Sequence, residues 1–492
     1  MKKATKILCG ILGLGFLLTG CATVDSVQNK DSELVYMGTS AVMINDSYLY
    51  FGNAVSDRDF ESDSDYKSAA KLSYLARLSV GASLSAKGID YSPTNVETVA
   101  SEVVSTTNNF MFALGNYIYY LTPNRKKFTN DDGQLEQEYS YSTLYRSKLD
   151  GNSKKELYTT EADISRIEVL KFGGKYYIVM LAGTDLFKFE LGSSVTKTKL
   201  ASDVTSVAIP ETYEKNKVGS TLDWNGYIYF TKTRSNDDNS DVSGTSIRKV
   251  LISSGSEDEV VGGQGQTVTL VGRENDIIFY TYDSETYKID TNKAGQFTIG
   301  SVSDLYSSST ISDVYKITTE IVDDGTKEIS VLGYVYTSNS NLVYKKNNGD
   351  GGTLTLNYDG SALSDYDVLF VTGRTMYLAT STAIYCADIS SAFNGNGGNV
   401  AIACRAVVKM DSIYLNEDAS TKYDRQLYAY DGTYIYYYAT LQSINSDDDD
   451  DDDATVDGKY YLYRTKVGTN ADNSPKTPYE LLSLTKNSNR HS

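Results

Sequence analysis

A turn followed by tyrosines at alternate positions recurs along the chain. It reads "DSYLYFGNA" at 46–54, "GNYIYYLTP" at 115–123, "NGYIYFTKT" at 225–233 and "DGTYIYYYA" at 431–439. Aligning on this phrase gives eight starts, at Tyr48, Tyr117, Tyr176, Tyr227, Ile277, Leu332, Met376 and Tyr434, spaced 44 to 69 residues apart. A period of two belongs to a strand with differently occupied faces, and recurrence at variable spacing belongs to a repeat whose loops vary while its strands do not. Composition agrees: 42 Tyr stand against 14 Phe and one Trp, and tyrosine favours pleated, half-buried surfaces.

Each start leads to a second phrase, such as "STLYRSKLDG" (142–151), "TDLFKFELG" (184–192) or "KYYLYRTKVG" (459–468). A short third strand follows, such as "KELYTT", and a fourth, such as "ISRIEVLKFGG", runs through a Gly, Asn or Asp turn into the next unit. Four short antiparallel strands per unit predict an all-β chain built as one β-propeller of about eight four-stranded blades, seven being the next count. The last unit ends after its third strand, at "PYELLSL". "GTSAVMIN" (38–45) stands before the first tyrosine phrase, in the slot of a fourth strand. The expectation is that 38–45 joins the last blade and closes the ring without an exposed edge.

These units, and above all "LYRSKLDG…KELYTT", resemble the tyrosine-rich β-propeller repeats of certain bacterial lipoproteins. The resemblance covers nearly all of the chain after the leader. It implies a fold and brings no catalytic residues with it.

The N-terminus supports the same comparison. "MKKATK" is basic, "ILCGILGLGFLLTG" is apolar and too short to span a membrane, and Leu18-Thr19-Gly20-Cys21 resembles a lipobox. The resemblance implies cleavage after Gly20 and diacylglycerol on the Cys21 sulfur. It also implies a location on the extracytoplasmic side of a bacterial membrane. The expected organisation is a signal peptide at 1–20, a lipidated polar tether at 21–33, the propeller at 34–487 and a tail at 488–492. Loss of Lys2, Lys3 and Lys6 with the leader takes the formal net charge from −18 to −21. So acidic a surface disfavours nucleic acid and anionic headgroups as partners, while a protein or another envelope component fits.

Chemistry-bearing motifs are few. The single histidine, His491, lies in the tail, which removes His-based triads and His-ligated zinc from consideration. "NNGDGGT" and "FNGNGGN" lack the lysine and the strand-to-helix setting of a phosphate loop, and read as turns between second and third strands. Cys386 and Cys404 lie in one predicted hairpin, about equally far from Gly395, which places them opposite each other as a candidate disulfide; two buried thiols are the other reading.

Four acidic segments stand out. They contain Asp57, Asp59, Glu61, Asp63 and Asp65; Asp131 and Asp132; Asp237, Asn239 and Asp241; and the run Asp447, Asp448, Asp449, Asp450, Asp451, Asp452, Asp453. All are expected between the first and second strands of their units, gathering negative potential at one end of the ring. Solvated loops, a docking surface for a basic protein and calcium are the three readings. Asp237, Asn239 and Asp241 alternate like a calcium loop, but the glycine comes late, at Gly244, and no closing glutamate follows. No cofactor is otherwise implied.

No Asp-box and no repeated first-strand carboxylate is read from the sequence, so the expected role is non-enzymatic: a scaffold presenting loops to a protein or envelope polymer. The alternative is a carbohydrate-binding or carboxylate-dependent glycoside-acting protein using the central channel. The anchor is testable in cells. Cys21→Ser should move the chain from the membrane pellet to the soluble fraction, and persistence in the pellet would remove the lipid anchor.

Overall fold

The computed structural model describes residues 42–45, 48–55, 74–79, 96–103, 110–129, 135–209, 213–214, 217–218, 224–233, 244–262, 265–274, 276–293, 297–323, 326–380, 383–409, 413–414, 428–430, 433–442, 455–467 and 480–482. Within them the chain is all-β apart from short helical turns, and forms eight four-stranded antiparallel meanders, here sheets I to VIII in chain order. Sheet I comprises Val42–Asn45, Tyr48–Gly52, Tyr74–Ser79 and Val96–Val103; sheet II, Met111–Leu114, Tyr117–Thr129, Leu135–Lys148 and Lys155–Thr160. Sheet III comprises Ile164–Phe172, Lys175–Ala182, Asp185–Leu191 and Thr196–Ala201; sheet IV, Val204–Ala208, Tyr227–Thr233, Thr245–Leu251 and Glu257–Val261. Sheet V comprises Thr269–Glu274, Ile277–Tyr282, Glu285–Asp290 and Leu305–Ser307; sheet VI, Ile311–Asp323, Thr326–Ser338, Asn341–Lys346 and Gly351–Tyr358. Sheet VII comprises Asp367–Thr372, Thr375–Ala379, Ala383–Asp388 and Val400–Lys409; sheet VIII, Tyr428–Tyr430, Tyr434–Gln442, Thr455–Lys466 and Glu480–Leu481.

All eight tyrosine starts fall in second strands, not first ones. The turn before the phrase decides this. Leu114 pairs with Tyr117 around Gly115 (φ 62°), and Phe172 pairs with Lys175 around Gly173 and Gly174 (φ 57° and 76°). A two-residue turn in this left-handed geometry pairs its flanking strands directly, so the strand before the phrase belongs to the same sheet. Three expectations shift by one strand as a result. Val42–Asn45 pairs with Tyr48–Gly52 in sheet I and does not complete the last sheet, which has four strands of its own. The acidic segments fall between second and third strands. The two Gly-rich segments fall between third and fourth strands. Sheets I and VIII are joined instead by Ala54–Val55, which pairs with Tyr461 and Tyr460 of sheet VIII.

The phrase has a packing role that the register makes plain. Residues two apart on a strand share a face, and a cation on the third strand stands opposite the second of them. Arg77 pairs with Tyr50 and lies 4.5 Å over the Tyr48 ring. Arg146 pairs with Tyr119 and lies 4.6 Å over Tyr117; Lys249 pairs with Tyr229 and lies 4.7 Å over Tyr227. Arg464 pairs with Tyr436 and lies 4.4 Å over Tyr434, and Lys188 lies 5.8 Å over Tyr177. The "YIY" of one strand and the "LYR" of the next are thus two halves of one diagonal cation–π pair, worth about 0.5–2 kcal/mol according to burial.

Both faces of the sheets are covered. Buried clusters link II to III, III to IV, IV to V, V to VI and VI to VII. A further cluster holds residues of VII, VIII, I and II together, with Tyr377, Tyr437, Phe51 and Met111 among them. Polar tips reach carbonyls of the neighbouring sheet. Arg77 Nη1 donates to Leu149 O (3.1 Å), Lys188 Nζ to Ile252 O (2.5 Å), Arg273 Nη1 to Tyr227 O (2.7 Å), and Tyr438 OH to Gly52 O (3.0 Å).

Sheets VI and VII depart from this pattern. Their fourth strands pair in parallel, Leu354–Asn357 with Val400–Ala403, fusing the two meanders at one edge. The Gly-rich segments permit it: a Cβ on Gly352 would lie 1.8 Å from Gly398 O, and Gly398 N donates to Gly351 O at 2.9 Å. Gly352→Ala should therefore part the two strands and cost about 1–3 kcal/mol, read as a lower urea midpoint. An unchanged midpoint would mean that the parallel pairing contributes nothing.

Candidate functional site

A cavity of 740 Å³ lies between sheets VI and VII. Its rim begins at "ISDVY", where the pairing of the first two strands of sheet VI skips between Ser312 and Tyr315. This irregularity sets Asp313 in the left-handed region (φ 50°), a conformation that aspartate tolerates better than most residues. Opposite stands the turn Asn339–Ser340, both left-handed (φ 48° and 62°), as a two-residue hairpin requires. The third side is the link into sheet VII, "LSDYDV", with Asp365 (φ 52°), Tyr366 and Asp367. Leu342, Leu354 and Leu356 form an apolar floor. Tyr315, 6% exposed, donates its hydroxyl to Val368 O at 3.1 Å and ties the two sheets together there.

Among the described residues, three carboxylates border the cavity and no lysine or arginine does. Partial burial, with the nearby Asp313 charge second, raises the Asp367 carboxyl above the ordinary aspartate value. Burial likewise raises the Tyr366 hydroxyl. The arrangement offers hydrogen-bond acceptors, hydroxyls and an apolar base, and excludes anions by charge.

The sequence held a signal for these residues. An aspartate followed by Val or Ile stands at or near the start of the first strand in four sheets: Asp163-Ile164, Asp203-Val204, Asp313-Val314 and Asp367-Val368. These strands are the ones expected as fourth strands, so the repeat does not fall on the tyrosine-bearing strands. In sheets III and IV, Asp163 and Asp203 accept backbone hydrogen bonds at their carbonyls, from Gly183 N (2.7 Å) and Thr233 N (3.2 Å). In III and IV this position extends the strand ladder through its backbone, and only in VI and VII do members of the repeat border this cavity.

Other expectations resolve differently. Cys386 pairs with Arg405 and Cys404 with Ala387, so the two cysteines are offset by one residue and point to opposite faces. Both are free and buried, and the candidate disulfide does not form. The helix Ser390–Asn394 in the connection upsets the symmetry about Gly395 on which the pairing rested. Burial pushes both thiols up, Cys404 to about 12, which keeps them protonated and unreactive. Cys21, His491 and the acidic residues at 57–65, 131–132, 237–241 and 447–453 lie outside the described residues. Among the described residues no group of three or more metal-ligating side chains occurs, and no helix is long and apolar enough to cross a membrane.

No protein family and no curated protein matches the sequence. Among solved structures, an oligogalacturonate lyase in complex with manganese is similar at 11% identity and a TM-score of 0.37, over 72% of this chain and 94% of that one. The WD40 domain of SCAP from fission yeast is similar at 9% identity and a TM-score of 0.39, over 86% and 98%. AztD of Citrobacter koseri is similar at 10% identity and a TM-score of 0.33, over 80% and 95%. Likeness at this level assigns no activity.

The raised Asp367 carboxyl has a consequence for stability. Its proton is held more tightly in the folded chain, so the favourable contribution is complete below the ordinary value of 3.8 and is lost as pH rises through the folded one. Asp367→Asn removes that loss. Melting at about pH 7 should give the variant the higher Tm, and the difference should vanish near pH 3. A variant less stable at neutral pH would contradict the assignment.

Proposed function

We propose that the eight sheets form a closed, eight-bladed β-propeller held by lipid on Cys21 at the extracytoplasmic side of a bacterial membrane. On this reading it acts as a non-enzymatic scaffold for a protein or an envelope polymer. The observation that carries the reading is the return of the core. Sheet VIII shares a buried cluster with sheet I, donates from Tyr438 OH to Gly52 O, and accepts the strand pairing of Ala54–Val55. When every sheet is covered on both faces, a ring of this kind keeps no broad surface for rearrangement, and recognition falls to its connections and clefts.

A glycoside-acting role has one observation in its favour: Asp313 and Asp367 share a cleft, and one of them has a raised carboxyl pKa. Hydrolysis needs two carboxyl groups about 5–10 Å apart flanking a scissile bond. The recurrence of the same aspartate in sheets III and IV, where its backbone extends the strand ladder, favours binding over catalysis.

In sequence, each acidic segment stands between a second strand and a third. Affinity capture from envelope extracts with the intact mature chain, and with one lacking 447–453, tests the scaffold. The intact chain should retain a specific envelope component and the shortened chain should lose it. Failure of the intact chain to retain anything, or turnover of a glycan by the purified chain, would overturn the reading.

A further inference from the structure

We propose that the cleft between sheets VI and VII binds a short saccharide that is uncharged or carries a free amine. This rests on the polymer half of the scaffold reading and names its chemistry. The volume, 740 Å³, falls within the range of about 300–1,000 Å³ usual for small-ligand sites. The lining matches a polyol. Asp313, Asp365 and Asp367 supply carboxylate acceptors that can each take two hydroxyls, Asn341 an amide and Thr355 a hydroxyl, while the half-buried Tyr366 ring and the leucine floor meet the apolar face of a sugar.

Charge narrows the class. Among the described residues no basic side chain borders the cleft, so a uronate, phosphate or sulfate would meet three acids there and no cation. An ammonium group on the ligand would instead offset both the burial and the Asp313 repulsion that raise the Asp367 carboxyl.

The frame is built in advance. The parallel pairing of the fourth strands fixes the two sheets relative to one another, and Tyr315 OH to Val368 O fixes the two first strands. A site whose walls do not reorganise loses less affinity to ordering on binding.

The glucose, N-acetylglucosamine, glucosamine and galacturonate trisaccharides, with acetyl-arginine-amide as the basic-peptide control, would be titrated calorimetrically into the mature chain. At least one neutral or amine-bearing trisaccharide should bind saturably, and the galacturonate should not. Thr355→Arg, at an exposed wall position, and Asp313→Ala paired with Asp367→Ala should each weaken binding about tenfold or more while leaving the melting transition cooperative. Binding unchanged in both variants, equal binding of galacturonate, or binding of acetyl-arginine-amide alone would overturn the inference. If no trisaccharide binds while the intact chain still retains an envelope protein, the saccharide inference falls and the scaffold reading stands. If both fail, both fall.

Discussion

The structure depends on burying polar-tipped side chains between sheets, where several of the tips reach a neighbour's backbone carbonyl. A four-stranded sheet with two apolar faces is not stable alone and must be covered on both. Tyrosine supplies the area: Tyr50, Tyr119, Tyr280, Tyr436 and Tyr438 are all less than 2% exposed. Each such ring contributes about 1.5–3 kcal/mol of burial, whereas a hydroxyl left dry and unpaired costs about 1–3 kcal/mol, so the partner decides whether the substitution of Tyr for Phe is neutral or harmful. Tyr438 finds Gly52 O and Tyr344 finds Gly398 O. Cations follow the same rule. Arg273 is 4% exposed and its pKa is pulled down to about 10 by burial, yet it lies over the Tyr229 ring and donates to Tyr227 O.

This explains why the repeated phrase needs tyrosine and why it needs the basic residue one strand later. Each diagonal pair is local to one sheet, but Arg77 and Lys188, which stack on a tyrosine of their own sheet, also reach a carbonyl of the next. Lys188 covers Tyr177 within sheet III and donates to Ile252 O at the end of sheet IV's third strand. Packing within a sheet and docking between sheets are therefore set by the same side chain. Variation in loop length disturbs neither, which is how spacings of 44 to 69 residues coexist with one register.

The repeat unit was legible because period-two alternation survives any loop length; its phase was not. The eight starts were found, but a glycine turn before the phrase reads equally well as a link between sheets or as a hairpin within one. Only φ separates the two: Gly115 at 62° and the direct pairing of Leu114 with Tyr117 make it a hairpin. The cysteines failed for a related reason. Counting outward from Gly395 presumes a symmetric loop, and the helix at Ser390–Asn394 shifts the register by one residue, enough to send Cys386 and Cys404 to opposite faces. The cleft was hidden in a different way. Asp313 and Asp367 repeat the pattern of Asp163 and Asp203, and nothing in the pattern says which pair borders empty space.

What makes the pair in sheets VI and VII different is the glycine pairs at the other end of the same two sheets. The fourth strands of VI and VII join in parallel where Gly352 lies so close to Gly398 that a Cβ on it would stand 1.8 Å from the Gly398 carbonyl. The cavity beside this junction is bordered by Asp313 in the first strand of sheet VI and by Asp365 and Asp367 at the start of sheet VII. Two of the three, Asp313 and Asp365, hold φ near 50°, a conformation that aspartate tolerates better than most residues. A cavity lined with carboxylates thus stands where two independent backbone demands meet, one for glycine and one for aspartate. Each has a structural cause of its own, and their coincidence in sheets VI and VII is what sets this junction apart from the repeated tyrosines.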